Sequence, residues 1–221
     1  MKGFIFLIGS FLLISCAALP AIRPVPNLAE KNIICPSPFL TGKIRLIHAI
    51  EVRAAGQVQT VMIGVTMMDP VTRTISCALM SAEGVALFEA VSGPDGLKVS
   101  RALPPFDAAD FAQKMMDDID LIFLAPRGAL TEKGIFATGE TVCRRHKEPG
   151  GWIDVWQGHD GAIHICRYSE GGRLQRSVTL AGGLANPYST IDLQASERVD
   201  YSLMMTLIES EAVRDEPQRK E

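Results

Sequence analysis

Cysteine and histidine lie close together at two places in the sequence, and both residue types commonly ligate transition metals. Cys143 and His146 occur in one short run, and His164 and Cys166 occur in another. Residues two apart on a strand share a face, so the second pair could contribute to one site. A composite site is conceivable, but nothing in the sequence requires one, and isolated thiols and imidazoles are usually structural. The pattern therefore favours structural roles for these side chains, and we expect no metal and no cofactor.

Motifs of the common enzyme classes do not occur in the sequence. There is no Gly-x-Ser-x-Gly nucleophile elbow, no Walker loop, no Gly-x-Gly-x-x-Gly turn after a strand and no His-Glu-x-x-His pair. The formal net charge is -3, so the chain has no excess of Lys and Arg with which to neutralise phosphates. We therefore predict a protein that is not an enzyme and does not bind nucleic acid.

A further cysteine, Cys16, ends the apolar segment at the start of the chain. Lys2 supplies a positive charge, and the segment from Gly3 to Ile14 carries no charge. Such a run is too short for a ~30 Å hydrocarbon core and is typical of a secretory signal. The sequence Leu-Ile-Ser-Cys that ends at Cys16 resembles the lipobox of bacterial lipoproteins. The resemblance implies cleavage before Cys16 and its lipidation, and the alternative is a plain signal peptide cut near Ala18.

Lipidation would attach the protein to the bacterial cell envelope. One myristoyl-length chain binds a membrane only marginally, and the three chains typical of bacterial lipoproteins imply firm attachment. Ala17 follows Cys16 where some lipoproteins have aspartate. By the sorting rule of enterobacterial lipoproteins, this residue favours the outer membrane. We expect the protein to face the periplasm from there.

Composition divides the chain into four parts. We predict a lipoprotein signal peptide at residues 1–15 and a proline-containing, lipidated tether at 16–38. A single domain follows at 39–209, and a charged tail at 210–221.

Short alternating segments separated by turn signals predict an antiparallel sheet within residues 39–209. The five strands predicted before residue 104 are Lys43–Arg53, Gln57–Met68, Arg73–Met80, Val85–Ser92 and Leu97–Arg101. The six predicted after residue 130 are Phe136–Lys147, Trp152–Gln157, Ala162–Tyr168, Arg173–Leu180, Tyr188–Gln194 and Asp200–Glu209. Strands and helices do not alternate, which excludes a parallel Rossmann-like sheet.

One amphipathic helix is predicted between the two groups of strands, from residue 107 to about residue 121. Phe111, Met115 and Ile119 recur at helical spacing. Asp107 is the predicted N-cap.

Several predicted strands are apolar on both faces, and one helix is too small to cover a sheet of about eleven strands. A strongly curved sheet could solve this by wrapping its concave face around the helix and an apolar cavity. Paired methionines would suit a variable apolar guest, because their thioethers are flexible. The candidate cavity residues are Met62, Phe88, Phe111, Met115, Ile119 and Met204.

Four cysteines follow Cys16, and their state depends on the compartment. An exported chain meets an oxidising environment, so one or two disulfides are possible among Cys35, Cys77, Cys143 and Cys166. The alternative is buried free thiols, which pack like small apolar residues. Spacing does not give the pairing.

The lipobox, the tether and the order of strands and helix together resemble the LolA/LolB-like fold. Short segments at 81–88, 185–193 and 200–205 further resemble a family of LolB-like lipoproteins that accompany aryl-polyene or fatty-acid-like biosynthesis genes. The resemblance implies a mainly β, α+β fold, in which an eleven-stranded, incomplete antiparallel barrel is closed by a helical lid over an apolar cavity.

The function that the resemblance implies is that of a membrane-anchored periplasmic carrier or acceptor. Its cargo would be a lipid, lipoprotein, acyl chain or polyene tail. Its partners would be a periplasmic carrier or an inner-membrane exporter. The alternative is a non-catalytic envelope scaffold that binds a protein partner and encloses no cavity.

Overall fold

A computed structural model describes residues 19–25, 34–147, 150–183, 187–196 and 200–213. The signal peptide predicted at 1–15, the lipidation site Cys16 and most of the tail predicted at 210–221 lie outside these ranges. Within them, the chain forms one twelve-stranded sheet and one α-helix.

The elements follow one another in two groups of strands with the helix between them. The first group is β1 (Ile44–Ala54), β2 (Gln57–Asp69), β3 (Thr74–Ser81), β4 (Ala86–Gly93) and β5 (Gly96–Ala102). Helix α1 spans Phe111–Phe123. The second group is β6 (Leu130–Ile135), β7 (Thr141–His146), β8 (Trp152–Gln157), β9 (Ile163–Tyr168), β10 (Leu174–Ala181), β11 (Thr190–Ala195) and β12 (Tyr201–Ala212).

Strand order shows an open antiparallel sheet. The order is β5-β4-β3-β2-β1-β12-β11-β10-β9-β8-β7-β6, so β5 and β6 lie at the two edges of the sheet. The long strands β1 and β12 pair at the centre and join the two groups. This confirms the predicted unclosed antiparallel sheet with one helix. Strand β12 reaches Ala212, three residues beyond the predicted end of the domain.

The prediction of eleven strands was wrong, because β6 (Leu130–Ile135) was not predicted, and the segment predicted as one strand at 136–147 is a turn followed by β7. Gly139 has a φ of 104°, a value that favours glycine, and its N–H donates to the carbonyl of Phe136. The chain therefore turns at Gly139, and the strand before the turn is β6. Polar residues on the exposed positions of β6, such as Glu132, conceal it in the sequence.

The predicted start of the helix was also wrong. Residues 103–110 form turns, and the N-cap is Asp110 instead of Asp107. At the other end, α1 continues two residues beyond the predicted boundary to Phe123. Carboxylates are unfavourable in the last turn of a helix. Here Asp118 pairs with Arg176, and Asp120 pairs with Arg73, so their charge is compensated.

The main core lies between α1 and one face of the sheet, which we call the inner face. Alternation along each strand turns every second side chain towards it, as in β2, where Met62 and Met68 are buried. The other side of the sheet is the outer face. Val61 and Met67 of β2 point there and remain 49% and 41% exposed. The expectation that a strand with two apolar faces needs cover on both therefore fails for β2.

Residues 19–25, which we call the N-terminal strap, cover the outer face near β6 and β7. Ile22 packs with Phe136 and Val142 in a second, smaller core. The N–H groups of Arg23 and Ile135 donate to each other's carbonyls at 2.9 and 3.0 Å. This part of the segment predicted as a tether lies against the domain.

The cysteines divide into one disulfide and two buried thiols. Cys35 is bonded to Cys143 of β7, whereas Cys77 and Cys166 are free and buried. The sequence left open disulfides or buried free thiols, and the structure contains one disulfide and two buried free thiols.

Candidate functional site: an apolar cavity beneath the helix

A cavity of about 300 Å³ lies between α1 and the inner face of β1, β2, β3 and β12. Its helix wall includes Phe111, Lys114, Met115, Asp118, Ile119 and Ile122. Its sheet wall includes Ile50, Met62, Leu79, Tyr201, Leu203 and Met205. The lining is mostly apolar, and such a cavity suits an apolar ligand with a small polar part.

The helix wall arises from the spacing of apolar residues along α1. Phe111, Met115 and Ile119 are four apart, so they lie on one stripe of the helix, and this stripe faces the sheet. Phe111 packs edge-on against Phe88 and Phe106, with ring centroids 5.4 and 5.2 Å apart. These aromatic contacts hold the first turn of α1 against the sheet.

The sheet wall depends on a glycine in β2. Gly64 points inward between Met62 and Thr66, and a Cβ built on it would lie 2.5 Å from Cδ1 of Ile50. The Ile50 side chain thus occupies the space that a larger residue at position 64 would take. Gly64 therefore helps to set the shape of this wall.

Four of the six residues that the sequence predicts for the cavity lie in its wall: Met62, Phe111, Met115 and Ile119. Phe88 is fully buried behind Phe111 and belongs to the surrounding core. Met204 points to the opposite face, because it alternates along β12 with Leu203 and Met205, which do line the cavity. Taking every second residue of β12 from Tyr201 would have identified Leu203 and Met205 as residues of the cavity wall.

Sequence reasoning missed the polar part of the wall. Asp118 is only 4% exposed, and its carboxylate accepts two hydrogen bonds. Arg176 Nε donates to Oδ1 at 2.7 Å, and the Tyr201 hydroxyl donates to Oδ2 at 2.9 Å. Helical spacing does place Asp118 near the inward stripe, three residues after Met115 and seven after Phe111. Its charge, however, is typical of a solvent-facing position.

Burial and charge act in opposite directions on this carboxyl. Burial raises the pKa of Asp118, while the Arg176 guanidinium and the Tyr201 hydroxyl act to lower it. Arg176 is itself 1% exposed, and its guanidinium carbon lies 5.8 Å from the centroid of the Tyr201 ring. The three side chains form one buried polar group at the edge of an apolar cavity.

A second buried ion pair lies on the outer face, away from the cavity. Arg144 donates from Nε and Nη2 to the two carboxylate oxygens of Asp154, both at 2.7 Å. Its Nη2 also donates to the Pro20 carbonyl of the strap at 2.8 Å. This pair joins two strands and the strap, which indicates a structural role.

The cysteine and histidine pairs considered as metal ligands have other contacts. Cys143 is in the disulfide, and His146 packs edge-on against Trp152. His164 stacks on Trp156, and Cys166 is buried beside Ser177. Across the described ranges, no three His, Cys, Asp or Glu side chains are grouped as a metal site would require. In the same part of the chain, no helix combines the length and hydropathy needed to cross a membrane.

Comparison with known proteins gives a structural likeness and no sequence family. No protein-family model matches the chain, and no curated protein matches it. The fold is similar to the crystal structure of a LolA superfamily protein from Nitrosomonas europaea, with a TM-score of 0.52 and 12% sequence identity. The match covers 82% of this chain and 90% of the other. This likeness confirms the LolA-like fold predicted from the sequence.

Proposed function

We propose that the protein is a non-enzymatic carrier or acceptor that binds an acyl or polyene chain in the cavity beneath α1. The observation that carries this proposal is the apolar cavity itself, between one helix and the inner face of an open sheet. Its LolA-like fold supports the same function, since the LolA superfamily takes its name from a lipoprotein carrier.

The size of the cavity is suited to a medium-length chain. At about 30 Å³ for each water-sized group, 300 Å³ holds about ten such groups. Burying ten methylenes would contribute roughly 8 kcal/mol before the costs of ordering the chain. Two proteins with similar cavities could then exchange one lipid with a small change in free energy.

The proposed site of action is the periplasmic face of the outer membrane, with lipidated Cys16 as the anchor. The support for this is the sequence from Leu13 to Cys16 and the residue Ala17 after it. The proposed partners are a periplasmic carrier or an inner-membrane exporter that delivers the lipid.

A direct test is native mass spectrometry of the unlipidated protein, purified without harsh detergent, followed by lipid extraction. We expect a bound acyl lipid, or binding of a fluorescent acyl analogue with an uncharged head group to the empty protein. A protein that is empty in every preparation and binds no analogue would contradict the proposal.

Two neighbouring residues of β12 provide matched variants for this test. Leu203 lines the cavity, and Met204 points to the outer face. Leu203→Trp should fill the cavity and weaken binding of the analogue by about tenfold or more, since each displaced methylene loses about 0.8 kcal/mol. Met204→Trp should leave binding unchanged.

The alternative function is that of an envelope scaffold that binds a protein. Exposed apolar side chains on the outer face, among them Val61 and Ile208, favour some protein contact there. A scaffold needs no cavity, so cavity-filling Leu203→Trp should leave its partner binding intact. Cross-linking in the envelope with both variants of β12 separates the two functions.

A further inference from the structure

Asp118 contributes an acidic side chain to the wall of a mostly apolar cavity. It is 4% exposed and lies one helical turn from Lys114, which also lines the cavity and has a side chain that is 49% exposed. The solvent side of this wall is therefore at Lys114, and Asp118 lies further inward.

The hydrogen bonds of Asp118 leave part of its accepting capacity unused. An ionised carboxylate offers about four acceptor positions on its two oxygens. Among the described residues, Arg176 Nε uses one on Oδ1 and the Tyr201 hydroxyl uses one on Oδ2. Each oxygen can therefore accept one more donor, and Asp118 is part of the cavity wall.

The structural ion pair on the outer face shows a different arrangement. There the guanidinium of Arg144 reaches both oxygens of Asp154, which is fully buried and faces no cavity. In the cavity pair, Arg176 bonds Asp118 through Nε, and its Nη1 donates to the Gln175 carbonyl instead. Each of the two carboxylates thus accepts one hydrogen bond on each oxygen, but Asp118 lies in the wall of the cavity and Asp154 does not.

We propose that the cargo carries a hydrogen-bond donor at or next to the head of its acyl chain, and that this donor binds the carboxylate of Asp118. The chemical class is an N-acyl amide or a hydroxyacyl chain. This inference rests on the proposed carrier function, which it makes more specific.

Two other head groups fit this wall less well. A free fatty-acid carboxylate would bring a second negative charge beside Asp118 in a site of low dielectric, where like charges repel strongly. An ester supplies acceptors only, so the buried carboxylate would gain no hydrogen bond from it. Asp118 therefore selects for the donor, while the apolar wall selects for the chain.

The experiment compares four ligands of the same chain length on the full chain at neutral pH. Decanamide, 1-decanol, methyl decanoate and decanoate each displace a neutral apolar dye from the cavity. We expect the amide and the alcohol to bind about tenfold more tightly than the ester, the size of effect typical of one hydrogen bond to a charged group. Decanoate should bind no better than the ester.

A pair of double variants tests whether Asp118 causes the preference. Asp118→Asn with Arg176→Gln removes both charges of the cavity pair and keeps two hydrogen-bonding amides. The preference for amide over ester should then fall to about twofold or less. Asp154→Asn with Arg144→Gln makes the same exchange on the outer face and should leave the preference unchanged.

The outcomes distinguish this inference from the carrier function. If the ester or the acid binds the unaltered protein as tightly as the amide, the inference about Asp118 is overturned and the carrier function stands. If none of the four ligands displaces the dye, the carrier function is overturned as well. The ligand series alone decides both questions even if the cavity double variant does not fold.

Discussion

His48 is a buried imidazole on the inner face of β1, where it packs beside the ring of Phe123 with centroids 6.0 Å apart. It is 1% exposed, and its Nε2 has no hydrogen-bond partner among the described residues. Burial lowers the pKa of His48 from 6.5 to about 4. The folded protein therefore holds this residue neutral over a range in which the unfolded chain would protonate it.

This shift makes folding sensitive to acid. Because the pKa is lower in the folded state, the stability is fully present above pH 6.5 and is lost as the pH falls towards 4. Between pH 7 and pH 4.5 we expect His48 to reduce the free energy of unfolding by about 2–3 kcal/mol. Urea unfolding of His48→Leu at both pH values should show a smaller loss than the unaltered protein.

The control for this prediction is His159→Gln, since the side chain of His159 is 77% exposed. This variant should keep the acid sensitivity of the unaltered protein. Equal losses in all three proteins would contradict the assignment to His48.

At the scale of an element, the strap depends on close backbone packing against β6. A Cβ built on Gly134 would overlap the carbonyl oxygen of Arg23 and a methyl group of Ile22. Since this contact includes backbone, it does not relax by rotation of one side chain.

Gly134→Ala should therefore displace the strap from the edge of the sheet. Overpacking of this kind typically costs about 1–3 kcal/mol, and the hydrogen bonds between Arg23 and Ile135 would open. Hydrogen exchange should show faster exchange at the amides of Arg23 and Ile135, together with a lower free energy of unfolding. Gly42→Ala, where a Cβ meets no atom within 4 Å, should change neither. Unaltered exchange in Gly134→Ala would contradict this account of the strap.

Strands and the helix were predicted correctly where apolar residues recur with a regular spacing, and a strand was missed where they do not. Alternation in β2 and the four-residue spacing in α1 are visible in the sequence, and both identify cavity residues. Strand β6 was missed because its exposed edge positions are polar, as at Thr131 and Glu132. The helix begins after Asp110 instead of Asp107, because the residues from Pro104 to Asp110 form turns before it.

At the scale of the whole molecule, the disulfide joins residues 108 positions apart in the chain. A cross-link over so long a loop restricts the unfolded chain and typically contributes about 2–5 kcal/mol. It connects the segment before β1 to β7, so it links the two groups of strands independently of the central pairing of β1 with β12.

Replacing both cysteines, Cys35→Ser with Cys143→Ser, should lower the free energy of unfolding by about 2–5 kcal/mol. Denaturant unfolding with and without reductant measures this. Reductant should destabilise the unaltered protein and have no effect on the double variant. A reductant-insensitive midpoint in the unaltered protein would contradict the prediction.

The sequence by itself determined the antiparallel sheet, the single helix and the apolar stripes, because alternation and helical spacing are properties of neighbouring residues. It also pointed to Phe111, Met115 and Ile119, three of the helix residues that the structure places in the cavity wall. Tertiary structure decided which face of β12 lines the cavity, which cysteines pair, and which groups meet Asp118. Arg176 and Tyr201 lie 58 and 83 residues from Asp118 in the chain. Contacts over such distances depend on the order of the strands in the sheet, and no local pattern encodes that order.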